Sequence, residues 1–115
     1  MPLLKLQCTS ALVGEVRDTL IRTLSRITAE CIGQPERYVM VVAEQATFSL
    51  DGQIGPAAFV DVRSITGLGG EVNRRIAHEV CAALEKGLGI PADRIFLNFQ
   101  LVEPANWGYN GSTVG

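Results

Sequence analysis

Two stretches of the chain read alike, and their likeness limits the fold more than any other feature. Gly33-Gln34-Pro35-Glu36-Arg37-Tyr38-Val39-Met40-Val41-Val42 is echoed by Gly89-Ile90-Pro91-Ala92-Asp93-Arg94-Ile95-Phe96-Leu97-Asn98-Phe99. Each copy runs Gly-x-Pro, an acidic residue, Arg, and then a β-favouring run, and the two glycines stand 56 positions apart. A helical pattern precedes each copy. Val13, Val16, Leu20, Leu24, Ile27 and Cys31 recur at steps of three and four, as do Val72, Ile76, Val80, Leu84 and Leu88. Gly33 and Gly89 fall just past the last apolar position, where a helix ends in a left-handed residue, and proline two places on prevents its resumption. Upstream of each helix lies a strand candidate, Leu4–Gln7 and Ala58–Arg63. The order is therefore β-α-β twice, over residues of about 1–50 and 57–103, followed by a C-terminal tail.

Two such units predict one α+β domain spanning 1–115, ferredoxin-like, with a four-stranded sheet and two helices on a single face. Asp51-Gly52 predicts a turn between the copies, in a small hairpin or a bulged extension, and Asn110-Gly111 a second turn in the tail. Tyr38–Val42 and Ile95–Val102 are apolar at positions of both parities, which predicts an apolar second sheet face covered by further copies of the chain.

Composition removes several function classes. Ten Lys+Arg against twelve Asp+Glu give a net charge of −2, without the basic footprint of a nucleic-acid binder. No apolar run reaches the ~18 residues of a membrane span, and the start lacks the pattern of a secretory leader. Cys8, Cys31 and Cys81 are odd in number and far apart, which favours free buried thiols in a reducing compartment, the cytoplasm. No His-x-x-x-His, Asp-rich loop or paired cysteine offers metal ligands, and Gly67-Leu68-Gly69-Gly70 fits neither nucleotide-loop spacing, so no metal and no cofactor is expected. His78, the one histidine, reads as a surface or boundary residue in the middle of the second helix.

Pro2 is different. Methionine before proline is commonly excised, which leaves a secondary amine at the chain start. An ordinary α-amino group titrates near ~7.7–8.0, and burial lowers that value by disfavouring the ammonium. A desolvated prolyl nitrogen is thus a usable general base near neutral pH.

Met1-Pro2 before a strand, Ser64-Ile65-x-x-x-Gly69-Gly70-x-x-Asn73-Arg74, Pro91-x-Asp93-Arg94-Ile95-Phe96-Leu97-Asn98-Phe99 and Ala105-Asn106-Trp107-Gly108-Tyr109-Asn110-Gly111-Ser112-Thr113 together resemble the macrophage migration inhibitory factor family of the tautomerase superfamily. The match runs through essentially the whole chain in order. It implies the doubled β-α-β fold, a homotrimer whose three sheets line a central channel, and keto–enol tautomerase activity on small aromatic 2-keto acids such as phenylpyruvate. By this resemblance Pro2 is the catalytic base. Ile65 contacts substrate through its backbone N–H, and Asn98 hydrogen-bonds from the neighbouring subunit. Phe96, Trp107, Tyr109 and Val114 occupy the aromatic and apolar pocket positions, and Tyr38 a rim position.

Four departures from the family pattern bear on activity. Gln34 stands where a lysine is usual and supplies no charge to a developing enolate, with Arg37 three residues on as its candidate replacement. Phe96 replaces tyrosine. Tyr109 and Val114 replace larger rings, while Trp107 replaces a small side chain. Pro56-Ala57-Ala58-Phe59 stands where some vertebrate members carry a Cys-x-x-Cys, so the thiol oxidoreductase activity proposed for those members is not expected. The family also includes cytokine-like members, and a ligand-binding protein with a vestigial pocket is the alternative reading. A ferredoxin-like regulatory domain is a weaker third.

Overall fold

A computed structural model describes all of residues 1–115. Strand β1 (Leu3–Cys8) leads through helix α1 (Gly14–Ile32) to β2 (Met40–Gln45), which pairs parallel with β1. After a two-stranded hairpin, β3 (Ser49–Leu50) and β4 (Gln53–Ile54), the second copy follows: β5 (Ala58–Ser64), α2 (Gly70–Leu88) and β6 (Ile95–Leu101), with β5 and β6 again parallel. The copies meet through antiparallel β1 and β5, giving the sheet order β2-β1-β5-β6. A final hairpin, β7 (Gly108–Tyr109) and β8 (Ser112–Thr113), closes the chain.

The punctuation read from sequence has its physical counterpart. Gly33 and Gly89 cap the helices at φ 79° and 68°, and each donates its N–H four residues back, to Ala29 and Glu85. Both hairpins turn on residue pairs at positive φ, Asp51-Gly52 and Asn110-Gly111, the requirement of a type I′ turn. Neither helix is long and apolar enough to cross a membrane.

One face of the sheet carries the core. Leu4 and Leu6 of β1 and Val60 and Val62 of β5 alternate inward, against Leu24 of α1 and Ile76, Val80 and Leu84 of α2, all fully buried. Val13 and Val16, read as part of the α1 stripe, are instead 68% and 53% exposed. A 19-residue helix is about 28 Å long, whereas a six-residue strand covers about 20 Å, so the first turn overhangs the sheet.

The second face is mixed, which corrects the expectation of an apolar one. The register sets Val42, Lys5, Asp61 and Asn98 in one row and Glu44, Gln7, Phe59 and Phe96 in another. The central strands turn Lys5, Gln7, Asp61 and Arg63 outward beside the apolar Leu3 and Phe59, and Lys5–Glu44 and Arg63–Asp61 pair at 3.5 and 3.0 Å. The apolar runs of β2 and β6 had combined inward residues (Val41, Ala43, Leu97, Phe99) with outward ones. Exposed apolar side chains gather at the two sheet edges, with Met40 at 63% and Phe96 at 60%. Unpaired edges flanked by such groups are where another chain adds most readily.

All three cysteines are free thiols, Cys8 and Cys31 buried and Cys81 half-buried. Cys31 donates to Glu79 Oε2 (3.3 Å), which also accepts from Arg75 Nε (2.9 Å). Burial first, and then the Glu79 carboxylate, pushes the Cys31 thiol up from 9.0 to about 11. The folded state therefore holds this proton more tightly than the unfolded state. Its stabilisation is complete below pH 9 and is lost as pH rises from there toward 11. In urea titrations over that range the parent chain should lose about 1–2 kcal/mol that a Cys31→Ala chain, already weaker at neutral pH, does not lose. Parallel slopes for both would remove Cys31 from the account.

Candidate functional site

The site is built around the chain start. Proline has no N–H for a ladder and so suits the position before a strand. Pro2 stands there with its ring fully buried, and its carbonyl accepts the Met40 N–H at 3.0 Å. Beside it opens a cleft of ≈ 300 Å³. Gly33 and Pro35 end α1, and the 3₁₀ turn Glu36–Tyr38 then brings Arg37 and Tyr38 to one wall. A second 3₁₀ turn, Pro104–Asn106, delivers Trp107 to the other wall, and the β7–β8 hairpin adds Tyr109. Larger hollows lie elsewhere on the surface, but none holds more than one aromatic ring, whereas this cleft holds three.

The rings are ordered. Tyr38 and Tyr109 meet edge to face, centroids 6.4 Å apart at 86°, and the Arg37 guanidinium lies 4.7 Å from the Tyr38 centroid. Neighbouring Glu36 is turned back toward α1, where it accepts the Ser25 hydroxyl at 2.9 Å. None of the chain's ion pairs includes Arg37, so its charge faces the cleft without a carboxylate of its own. Burial lowers the amino group of Met1 from its ordinary value, which marks the chain start as a poor place for an ammonium.

Ile65 lies across from this start. Thr9 N–H donates to Ala57 O, which fixes the hydrogen-bonded pairs of the β1–β5 ladder as every second position. Continued past Leu3–Arg63, the register sets Pro2 opposite Ser64 and Met1 opposite Ile65. The Ile65 N–H finds no backbone acceptor.

Of the residues singled out in the sequence, Pro2, Arg37, Tyr38, Trp107 and Tyr109 line the one cleft; Ile65 does not line it, and only the β1–β5 register continued past Leu3–Arg63 sets it opposite Met1. Gln34 does not line it; this residue is half-buried at the end of α1, its N–H bonded to Ala29 O. Val114 is tied to the wall only through its N–H, which donates to Trp107 O. Phe96 and Asn98 are on β6, the far edge of the sheet, and Phe96 borders a separate hollow of ≈ 110 Å³ with Phe48 and Phe59. The sequence reading missed Met1, Leu3, Val39, Met40 and Gly108 as lining residues. The parallel pairing of Leu3 with Met40 brings the first four in, and that pairing is implicit in any β-α-β unit.

Residues 1–115 match the family model described as macrophage migration inhibitory factor. The chain belongs to this family. It is similar to macrophage migration inhibitory factor of Xenopus tropicalis, 33% identical over 107 residues that span 92% of this chain and 93% of that one. A homolog from Trichuris trichiura is 38% identical over 81% and 82% of the two chains. Among solved structures, the macrophage migration inhibitory factor homologue from Prochlorococcus marinus superposes with a TM-score of 0.92 at 37% identity, covering 98% of this chain and 99% of that one. The Toxoplasma gondii protein gives 0.93 at 31% identity, over 96% and 98%. The two helices and the mixed four-stranded sheet are thus the architecture of the macrophage migration inhibitory factor family.

Proposed function

We propose that this chain is a keto–enol tautomerase of small aromatic 2-oxo acids, with phenylpyruvate as the test substrate, and that it works as a homotrimer. One observation carries the reading: a fully buried Pro2 stands at the head of a cleft that offers stacking rings and an unpaired cation. Excision of Met1 would convert the Pro2 nitrogen from a tertiary amide, which has no basicity, into a secondary amine. Kept neutral by its apolar surroundings, that amine takes a proton from the carbon next to the keto group and passes it to the keto oxygen to give the enol; ketonisation runs the same transfer backwards, from the enol hydroxyl through the amine to the carbon. The electron pair moves onto the keto oxygen, where a hydrogen-bond donor such as the Ile65 N–H stabilises the enolate. Trp107, Tyr109 and Tyr38 would stack on the aryl group, and Arg37 would hold the carboxylate. Asn98 and Phe96 belong to the site of a neighbouring protomer.

Intact mass followed by a phenylpyruvate ketonisation assay tests the reading directly. A chain of mass corresponding to residues 2–115 that turns over phenylpyruvate supports it. The same chain binding an aromatic 2-oxo acid without turnover would overturn it in favour of a ligand-binding, cytokine-like protein.

Arg37 has its own signature. In an exposed position its charge is worth at most ~1 kcal/mol, so Arg37→Ala should raise KM for phenylpyruvate about fivefold and leave KM for its methyl ester nearly unchanged. Equal effects on acid and ester would reject Arg37 as the carboxylate's partner.

A further inference from the structure

Two polar side chains are completely buried in this protein, Thr28 and Ser64. Thr28 donates to Leu24 O of its own helix and needs no further account. Ser64, the last residue of β5, makes an arrangement centred on its neighbour. Its hydroxyl donates to Thr66 O at 2.6 Å and accepts the Thr66 N–H at 3.2 Å, closing a turn around Ile65. Its carbonyl accepts the Val102 N–H at 2.8 Å, beyond the end of β6.

These bonds decide where the Ile65 N–H points. The Ser64 carbonyl and the Ile65 N–H belong to one planar trans peptide and face opposite ways. Anchoring the carbonyl toward β6 therefore aims the N–H toward β1 and the chain start. The hydroxyl fixes the following peptide as well, so the unit cannot swing back. In the antiparallel pattern the next carbonyl that could absorb this N–H belongs to Met1. Removal of Met1 deletes that carbonyl. The donor, which has no backbone acceptor even with Met1 in place, then stays free about 5 Å across the strand pair from the Pro2 nitrogen.

We propose that Ser64 is a positioning residue, which holds the Ser64–Ile65 peptide so that the Ile65 N–H is presented, unpaired, to an oxygen of the substrate's 2-oxo acid group. The inference rests on the tautomerase reading for its kinetic consequence, but not for its geometric one.

The test uses the Met1-free chain, its Ser64→Ala and Ser64→Thr variants, and two readouts. The first is phenylpyruvate kinetics. The second is the ¹H–¹⁵N signal of the Ile65 amide during titration with benzoylformate, an aromatic 2-oxo acid that has no hydrogen next to its carbonyl and so cannot tautomerise. In the parent chain the Ile65 amide shifts on titration. Ser64→Ala lowers kcat about 10- to 100-fold, leaves the pH midpoint of kcat/KM in place because the base is untouched, and loses the Ile65 response. Ser64→Thr, which keeps the hydroxyl, restores both readouts to near the parental values. An Ile65 amide indifferent to benzoylformate in the parent, or an undiminished response in Ser64→Ala, overturns the proposal. Should Ser64→Ala fail to fold, the parent and Ser64→Thr titrations decide alone, and silence in either overturns it. A parent that does not turn over phenylpyruvate, yet shows the Ile65 shift and its loss in Ser64→Ala, would sink the tautomerase reading and leave the role of Ser64 standing.

Discussion

A Met1-free Pro2→Gly chain should ketonise phenylpyruvate at least about a hundredfold more slowly than its parent, the change falling on kcat rather than KM. Glycine keeps a terminal amine, so the loss is not one of a basic nitrogen as such. What it loses is the ring that fills the head of the cleft, and with it the exclusion of water that keeps the nitrogen neutral. Pro2 is fully buried, while Met1, one residue further out and only half-buried, already has its amine lowered by burial. The same cause acts more strongly one residue deeper. A neutral amine is the active form, so kcat/KM rises with pH through the nitrogen's pKa and then levels. In the parent the midpoint should lie below the ordinary α-amino range of about 7.7–8.0, whereas in Pro2→Gly it should move up toward that range. A chain that keeps Met1 should show no activity at any pH, because its Pro2 nitrogen is an amide. Pro2→Gly turnover within about threefold of the parent would remove Pro2 as the base.

How much of this was legible in the sequence depended on how local the signal was. The doubled unit could be read because its markers are local. Helices of equal length end on glycines held at positive φ, and each hairpin carries the two residues that its turn demands. The extent of burial along α1 was not legible, since periodicity gives the phase of a helix but not the length of the sheet beneath it. Nor was the second sheet face. A run such as Ile95–Leu101 is apolar at both parities because its inward residues meet helices and Phe96 stands at an edge, and a single strand cannot say which of these is happening. Within the site, Pro2 was singled out by the chemistry of a Met-Pro start and given its role by a likeness of motif, the aromatic residues came from that likeness, and Arg37 from its nearness to Gln34. The structure adds what spacing could not: Glu36 is drawn away by Ser25, which leaves Arg37 unpaired over Tyr38. Ser64 stood inside a recognised motif without a role. Its role depends on Val102, thirty-eight residues later, and on a strand register that only the folded sheet defines.

Two inactive chains should make an active enzyme when mixed. The sheet order puts β6 two strands from β1, about 10 Å across, and Asn98 lies level with Lys5, three residues along β1 from Pro2 and about as far again. Asn98 therefore cannot reach a ligand held against the Pro2 nitrogen of its own chain, and Phe96 lies farther up the same strand. If these residues serve the reaction, they serve it on a neighbour, and every site is shared between two protomers. Pro2→Gly removes the base but keeps β6 intact. A chain bearing both Phe96→Ala and Asn98→Ala keeps the base but offers nothing to its neighbour, and by itself should lose most of its activity. When equal amounts are unfolded and refolded together, half the sites receive an intact Pro2 and half of those face an intact β6. About a quarter of the parental activity should return, and the mixture should run as trimers of mixed composition in native mass spectrometry. Separate refolding followed by mixing should restore nothing until subunits exchange. Mixed trimers whose activity stays at the mean of the two variants would show that each site is complete within one chain, and a chain that remains a monomer would deny the shared site altogether.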